Sequence, residues 1–293
     1  MQAVLTALAD ELKRLKADGV ATVSISDESL AALRTLAARG RKPSAAADVP
    51  VAAVSQARKA PSSAPSASIA AAPSLPAPPE VRLPPGDKRA QWAALRERVL
   101  NDETCRAHVR PGKQVVFGVG SLEARIFFCG EAPGAEEEQQ GEPFVGPAGQ
   151  LLDRMIQAMG LRREEVYIGN IMNWRPETAA AFGNRPPTGE EIAYCLPFLR
   201  AQIEIVDPAL IVALGATAAR GLLGADSFKA LGEIRGHWKQ FAGKPVMVTY
   251  HPSYLLHNDT RRAKRTVWED LLKVMERAGL SITEKQRAYF LEK

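Results

Sequence analysis

From about residue 88 onward, the apolar positions of the chain follow two alternating periods. The runs Gln114–Gly118, Ala124–Cys129, Val166–Ile171, Ala209–Leu214 and Val246–Tyr250 are short, almost continuously apolar and rich in β-branched or aromatic residues. Such runs predict strands buried on both faces. Between them, apolar residues recur at helical spacing over Lys88–Asn101, Gly146–Met159, Thr188–Val206, Ala216–Leu223 and Ala263–Ala278. Thr188 followed three residues later by Glu191 adds a capping-box start. Strands alternating with helices predict an α/β fold, a three-layer α/β/α sandwich around a mainly parallel sheet. In such sheets ligands bind beyond the carboxyl ends of the strands. That rule singles out the segments after Cys129, Ile171, Leu214 and Tyr250 before any motif is considered.

Upstream the pattern differs. Residues 1–40 carry Val4, Leu5, Leu8, Leu12 and Leu15, then Leu30, Leu33 and Leu36, which predicts an amphipathic helical segment, a docking element or a small hairpin. Residues 41–87 are dominated by Ala, Pro, Ser and Val and lack the large side chains that offset ordering entropy, so a flexible linker is expected there. The main domain is then 88–281, with a C-terminal tail over 282–293.

The formal charge of +5 permits an anionic partner without requiring one. No apolar run approaches the roughly 20 residues that span a bilayer, and the N-terminus has no apolar leader, so a cytoplasmic monomer is expected. Three cysteines, Cys105, Cys129 and Cys195, have no paired spacing, and reduced thiols are expected.

Three strand-end segments carry candidate chemistry. After the second strand come Gly130-Glu131-Ala132-Pro133-Gly134, the acidic run Glu136 to Glu138, and Pro143-Phe144-Val145-Gly146. The glycines and proline make a tight loop whose amides can face a ligand. No Lys-Ser or Lys-Thr pair follows, which excludes a P-loop. After the third strand comes Asn170, then Asn173-Trp174-Arg175-Pro176 and Gly183-Asn184-Arg185. An asparagine there offers a donor and an acceptor to the edge of a planar base. After the last strand comes His251-Pro252-Ser253-Tyr254-Leu255-Leu256, where the histidine can donate to a developing anion. Taken alone, such a loop is more often a mere connection and a single asparagine more often a turn or cap residue.

Taken in order, GEAPG with its acidic run, PFVGPAGQLL, IGNIMNWRP, GNR and HPSYLL resemble the motif set of family 4 uracil-DNA glycosylases, from about Val115 to Leu272. The resemblance implies a glycosylase-like domain with a central, mainly parallel four-stranded sheet, acting in base excision repair on single- or double-stranded DNA. It implies that Phe144 stacks on a flipped uracil, Asn170 reads its edge, and Glu137 crowds the C5 side against thymine's methyl. Glu131 falls at the pocket floor, His251 donates to uracil O2, and Asn184 holds the attacking water. Ser253, Leu255 and Leu256 would meet DNA, one leucine as an apolar wedge. Arg261, with Arg262, Lys264 and Arg265, would neutralise phosphates.

The chain also departs from the pattern. Family 4 enzymes usually hold a [4Fe-4S] cluster on four cysteines. Here Cys105 and Cys195 match two ligand positions, while Asp102 and Trp174 occupy the others. Two thiolates do not satisfy a cubane, so no cofactor is expected, with Trp174 filling part of the vacated volume. Ala132 stands where more active classes place an aspartate, which implies slower turnover. The insertion Glu177 to Phe182 and Pro147 bear on substrate range, and no Lys/Arg-rich insertion suggests covalent capture of the abasic site. The competing readings are a non-catalytic DNA-binding or scaffold paralogue with a protein partner at the N-terminal helices, a glycosylase for another deaminated base such as hypoxanthine, and a metabolic enzyme acting on a free nucleoside.

Overall fold

The computed structural model describes residues 75–176 and 185–291. The expected N-terminal helices and residues 41–74 of the expected linker lie outside that range, as does Asn184.

The described chain runs α1 (Lys88–Leu100), α2 (Glu103–Ala107), β1 (Val119–Gly120), β2 (Ile126–Gly130), α3 (Glu137–Gln140), α4 (Pro147–Ala158) and β3 (Tyr167–Asn170). It continues through α5 (Gly189–Val206), β4 (Leu210–Leu214), α6 (Ala216–Leu223), α7 (Leu231–Ile234), β5 (Trp238–Phe241), β6 (Lys244–Thr249), α8 (Pro252–His257), α9 (Arg261–Arg277) and α10 (Glu284–Arg287). The strands form one sheet in the order β1-β3-β2-β4-β6-β5. The four central strands are parallel, and β1 and β5 pair antiparallel at the edges.

Period-two alternation divides each central strand between two cores. Ile126, Phe128, Ile168, Val212 and Met247 face α4 and α9 in one cluster. Phe127, Cys129, Tyr167, Ile211, Ala213 and Val248 pack in the other, with residues of α5 and α6. Both faces are covered, which is why these strands read as unbroken apolar runs. From β2 the chain moves to β3 on one side, whereas from β4 it moves to β6 on the other. The switch point therefore lies between the carboxyl ends of β2 and β4, where a crevice is expected.

The structure corrects the sequence expectations in four places. The sheet has six strands, because the two edge pairings add to the expected parallel four. Gln114–Gly118 is not a strand; Val116 N–H donates to Asn173 O at 2.8 Å and the Asn173 amide donates back to Val116 O at 3.0 Å. β5 leaves no apolar run in the sequence because its Trp-Lys-Gln-Phe stretch is half polar, as an edge strand with exposed Lys239 and Gln240 can be. Residues 75–87 of the expected linker have neither helix nor strand, yet Leu75, Val81 and Leu83 pack against a third apolar cluster, and Arg98 donates to Glu80 O at 2.6 Å.

The C-terminal tail is also built into the domain. Thr283 caps α10 in a capping box with Gln286. Trp268 Nε1–H donates to Gln286 O at 2.7 Å, and Arg265 donates to Arg287 O and Tyr289 O, both at 2.8 Å.

Candidate active site

A cavity of about 540 Å³ opens at the switch point, lined by the loops after β2, β3, β4 and β6. Gly130 ends β2 in register with Asn170 at the end of β3. A Cβ at Gly130 would lie 2.4 Å from both Asn170 Oδ1 and Phe144 Cζ. Glycine therefore lets the amide and the ring approach each other over the strand end.

Phe144 takes a left-handed backbone, φ 55°, uncommon for a bulky residue. Its surroundings hold that conformation. Arg163 donates to Phe144 O at 3.1 Å, to Pro143 O at 2.6 Å and to Asp153 Oδ1 at 2.7 Å. Any Cβ at Gly149 would sit 1.9 Å from Phe144 O, so the first turn of α4 accepts only glycine beneath the loop. The Phe144 ring, buried, stands 5.6 Å from the His251 ring at 32°.

Asn170 is 7% exposed, and its Oδ1 has no hydrogen-bond partner. Buried acceptors are almost always satisfied. An orphan in a cavity wall calls for a donor from a ligand.

His251 caps α8. Its Nδ1 accepts the Ser253 backbone N–H at 3.2 Å and lies 2.7 Å from Ser253 Oγ. An Nδ1 that accepts the backbone N–H leaves the ring proton on Nε2, so the neutral ring is a donor. Burial lowers its pKa from the ordinary histidine value to about 4, with the Glu137 charge opposing the shift. The donor is thus uncharged at neutral pH.

Two acidic residues serve different ends. Glu137 accepts Gly134 N–H at 3.0 Å through one oxygen, and Val145 and Gly146 N–H at 3.0 and 2.9 Å through the other. It ties the GEAPG loop to the loop that carries Phe144. Glu131 is half-buried in the cavity wall; burial raises its carboxyl pKa, and a hydrogen bond to Thr217 works in the other direction. Thr217 opens α6 after Gly215, whose φ is 92°. Sequence reasoning pointed to this strand end but not to Thr217, since no motif marks it.

The remaining candidates divide. Leu256 is 42% exposed at the cavity rim, whereas Leu255 is 6% exposed and part of the core under α8. Leu255 therefore cannot act as a wedge without unpacking that core. Arg261 donates to Leu291 O, Lys264 pairs with Asp259, and Arg265 holds the C-terminal segment as described above. These three cations have structural partners, and only Arg262 of the basic run is exposed without one among the described residues. Arg185 lines the cavity and forms a two-pronged pair with Glu191 at 2.6 and 2.7 Å.

The four-cysteine cluster positions form a packed core instead. Cys105, Cys195 and Trp174 are each 0% exposed. The Cys105 thiol pKa is pushed up by its hydrogen bond with Cys195 and by burial. Asp102 caps α2, accepting Cys105 N–H at 2.8 Å and the Tyr194 hydroxyl at 3.0 Å. Trp174 stacks on His108, with centroids 5.0 Å apart. Among the described residues no three or more His, Cys, Asp or Glu side chains come together as they would around a metal ion. The residues present therefore do not fit a four-thiolate cubane. Cys129 lies in the sheet core, where burial raises its thiol pKa.

Comparison with known proteins places these features. Residues 117–272 match the family model described as the uracil DNA glycosylase superfamily. The chain is 45% identical over 180 residues to the type-4 uracil-DNA glycosylase of Thermotoga maritima, covering 60% of this chain and 89% of that protein. It is 38% identical over 176 residues to the type-4 uracil-DNA glycosylase of Pyrobaculum aerophilum, covering 58% and 87% respectively. A type-5 uracil-DNA glycosylase from the same organism is 32% identical over 180 residues, or 55% of this chain and 75% of that protein.

Proposed function

The chain belongs to the uracil DNA glycosylase superfamily, with the type-4 enzymes as its family, and from that premise we propose that it hydrolyses the N-glycosidic bond of deoxyuridine in DNA, releasing uracil and leaving an abasic site. The observation that carries this reading is the orphan Oδ1 of Asn170 beside Phe144 and a neutral His251. Uracil offers an N3–H donor with a carbonyl on either side. Its N3–H would satisfy Asn170 Oδ1, and the Asn170 amide N–H would reach O4. Cytosine presents an acceptor at N3 and a donor at C4, so the same amide rejects it.

Phe144 supplies the stacking face for the flipped base. His251 Nε2–H would donate to O2 as negative charge gathers there, a contribution of a few kcal/mol when such a donor is preorganised. Because the bond breaks toward a uracil anion and an oxocarbenium-like sugar, the water needs positioning more than strong activation. Asn184 is read as its holder and Glu131, steadied by Thr217, as the carboxyl group near it. Glu137, fixed by three amides, is read as the wall a C5 methyl would meet. Leu256 is the wedge, and Ser253 supports His251. No step uses a metal, and we read the enzyme as lacking the iron–sulfur cluster.

The same reading has the protein acting as a cytoplasmic monomer on single- or double-stranded DNA, with a protein partner recognised through residues 1–40. Among the described residues no helix is long and apolar enough to cross a membrane. The test is an end-labelled oligonucleotide with one uracil, incubated with the protein and heated in alkali. Cleavage at the uracil is expected; binding without cleavage of either strand form would instead identify a scaffold.

A further inference from the structure

A second cavity, about 530 Å³, lies beside the first, and Leu256 lines both. Its walls come from α4, α8, α9 and the C-terminal segment, with Met155, Leu255, Val267 and Trp268 at its apolar base. The exposed large apolar side chains among the described residues are Leu256, Phe290 and Leu291. Two of these line this groove and the third is adjacent in sequence. Apolar surface gathered in one place marks a binding site more often than scattered single residues do.

The groove is also actively maintained. Phe290 is held at φ 62°, a left-handed conformation unusual for an aromatic residue. Three donors anchor the segment on either side of it: Trp268 to Gln286 O, Arg265 to Tyr289 O and Arg261 to Leu291 O. The Tyr289 ring packs against Trp268 and Phe290, with centroids 5.3 and 6.1 Å away. A loose tail would need no such anchoring.

We propose that this groove receives the base left unpaired on the opposite DNA strand when Leu256 enters the duplex and the uracil turns into the first cavity. The proposal rests on the glycosylase reading. Leu256 is the shared wall, so whatever it displaces on one side lies next to the other. The chemistry fits a nucleotide: Phe290 presents a stacking face, and Arg154 at the groove is exposed with no partner among the described residues, available to a phosphate. Lys264, the other cation lining the groove, is paired with Asp259. An apolar protein anchor would gain nothing from the unpaired guanidinium, whereas a nucleotide would.

The test compares strand forms. Phe290→Ala, Phe290→Tyr and Arg154→Ala are made in the full chain, melting temperatures confirm folding, and binding and uracil release are measured on matched single- and double-stranded oligonucleotides. Phe290→Ala is expected to weaken duplex binding about tenfold, the scale of one base–aromatic stack, and to leave single-strand binding within about twofold. Phe290→Tyr restores duplex binding. Arg154→Ala lowers the salt dependence of duplex binding by about one phosphate contact. Equal losses on both strand forms, no loss on either, or a dimer in sedimentation that Phe290→Ala dissolves would each overturn the proposal. If the unaltered protein binds but releases uracil from neither form, the glycosylase reading fails while the duplex-specific binding comparison still decides this one.

Discussion

Two buried polar atoms among the described residues lack a hydrogen-bond partner, one in each of two contrasting regions: Asn170 Oδ1 in the cavity at the switch point and Trp174 Nε1 in the core around Cys105 and Cys195. Leaving such a group unsatisfied costs about 1–3 kcal/mol. In the cavity the cost is recoverable, because a ligand bearing an N–H can enter and satisfy the acceptor. In the core it is permanent, because Trp174 is 0% exposed and packed between His108 and Tyr194. The difference separates a site held ready for a molecule from one filled by the chain itself.

The largest effect that would sharpen this contrast is expected at the cavity. Asn170→Ala should lower single-turnover uracil release by about 100-fold or more, the scale of losing a preorganised transition-state contact. Its unfolding free energy should stay unchanged or rise slightly, since an unsatisfied acceptor is removed. A marked destabilisation with normal activity would break the comparison. His251→Ala should lose activity on a similar scale.

Trp174→Ala should do the reverse, costing about 3–5 kcal/mol in denaturant unfolding as a large buried ring is deleted. Activity per folded molecule should hardly move. Trp174→Phe removes the orphan N–H and keeps most of the volume, and is expected to cost less than about 1.5 kcal/mol. An iron assay on protein purified without oxygen belongs to the same comparison: sub-stoichiometric iron is expected, and near-stoichiometric iron would show that this core opens to hold a cluster after all.

Glu137→Gln tests the frame between these extremes. A carboxylate accepts at both oxygens; a glutamine amide puts a donor against at least one of the Gly134, Val145 or Gly146 N–H groups. Activity should fall about tenfold, and stability by about 1–3 kcal/mol.

The smallest effect concerns pH. The folded pKa of His251, about 4, lies below the ordinary histidine value, so the unfolded chain binds the proton first as pH falls. Stability from the neutral ring is fully present above the ordinary value and is lost as pH drops toward 4. Denaturant midpoints measured across that window should fall as the unfolded chain takes up the proton that the folded ring resists. His251→Gln should flatten that component, and an unaltered slope would mean that other groups carry it.

Much of the fold was legible because strands buried on both faces leave an unmistakable apolar run, as in Leu210–Leu214, and because Thr188 and Glu191 mark a helix start locally. The edge strand Trp238–Phe241 and the anchored C-terminal segment were not legible, since their partners are distant in sequence. Leu255 and Leu256 were indistinguishable by type, and only packing decided which one faces outward. The basic run after Thr260 carries no distinction among its cations in the sequence; only the fold gives Arg261, Lys264 and Arg265 partners within the chain.

The amino-acid order alone thus determined the parallel sheet, the strand ends at which the cavity opens and the candidates Glu131, Phe144, Asn170 and His251 that line it, because these depend on local periodicity and on motifs contiguous in the chain. The tertiary structure alone decided which polar atoms remain unsatisfied, which tautomer His251 adopts, that Glu137 clamps two loops, and that Asp102 and Trp174 close a core with Cys105 and Cys195. Those properties are set by neighbours brought together across long sequence separations, and a hydrogen bond or a desolvation exists only once both partners are in place.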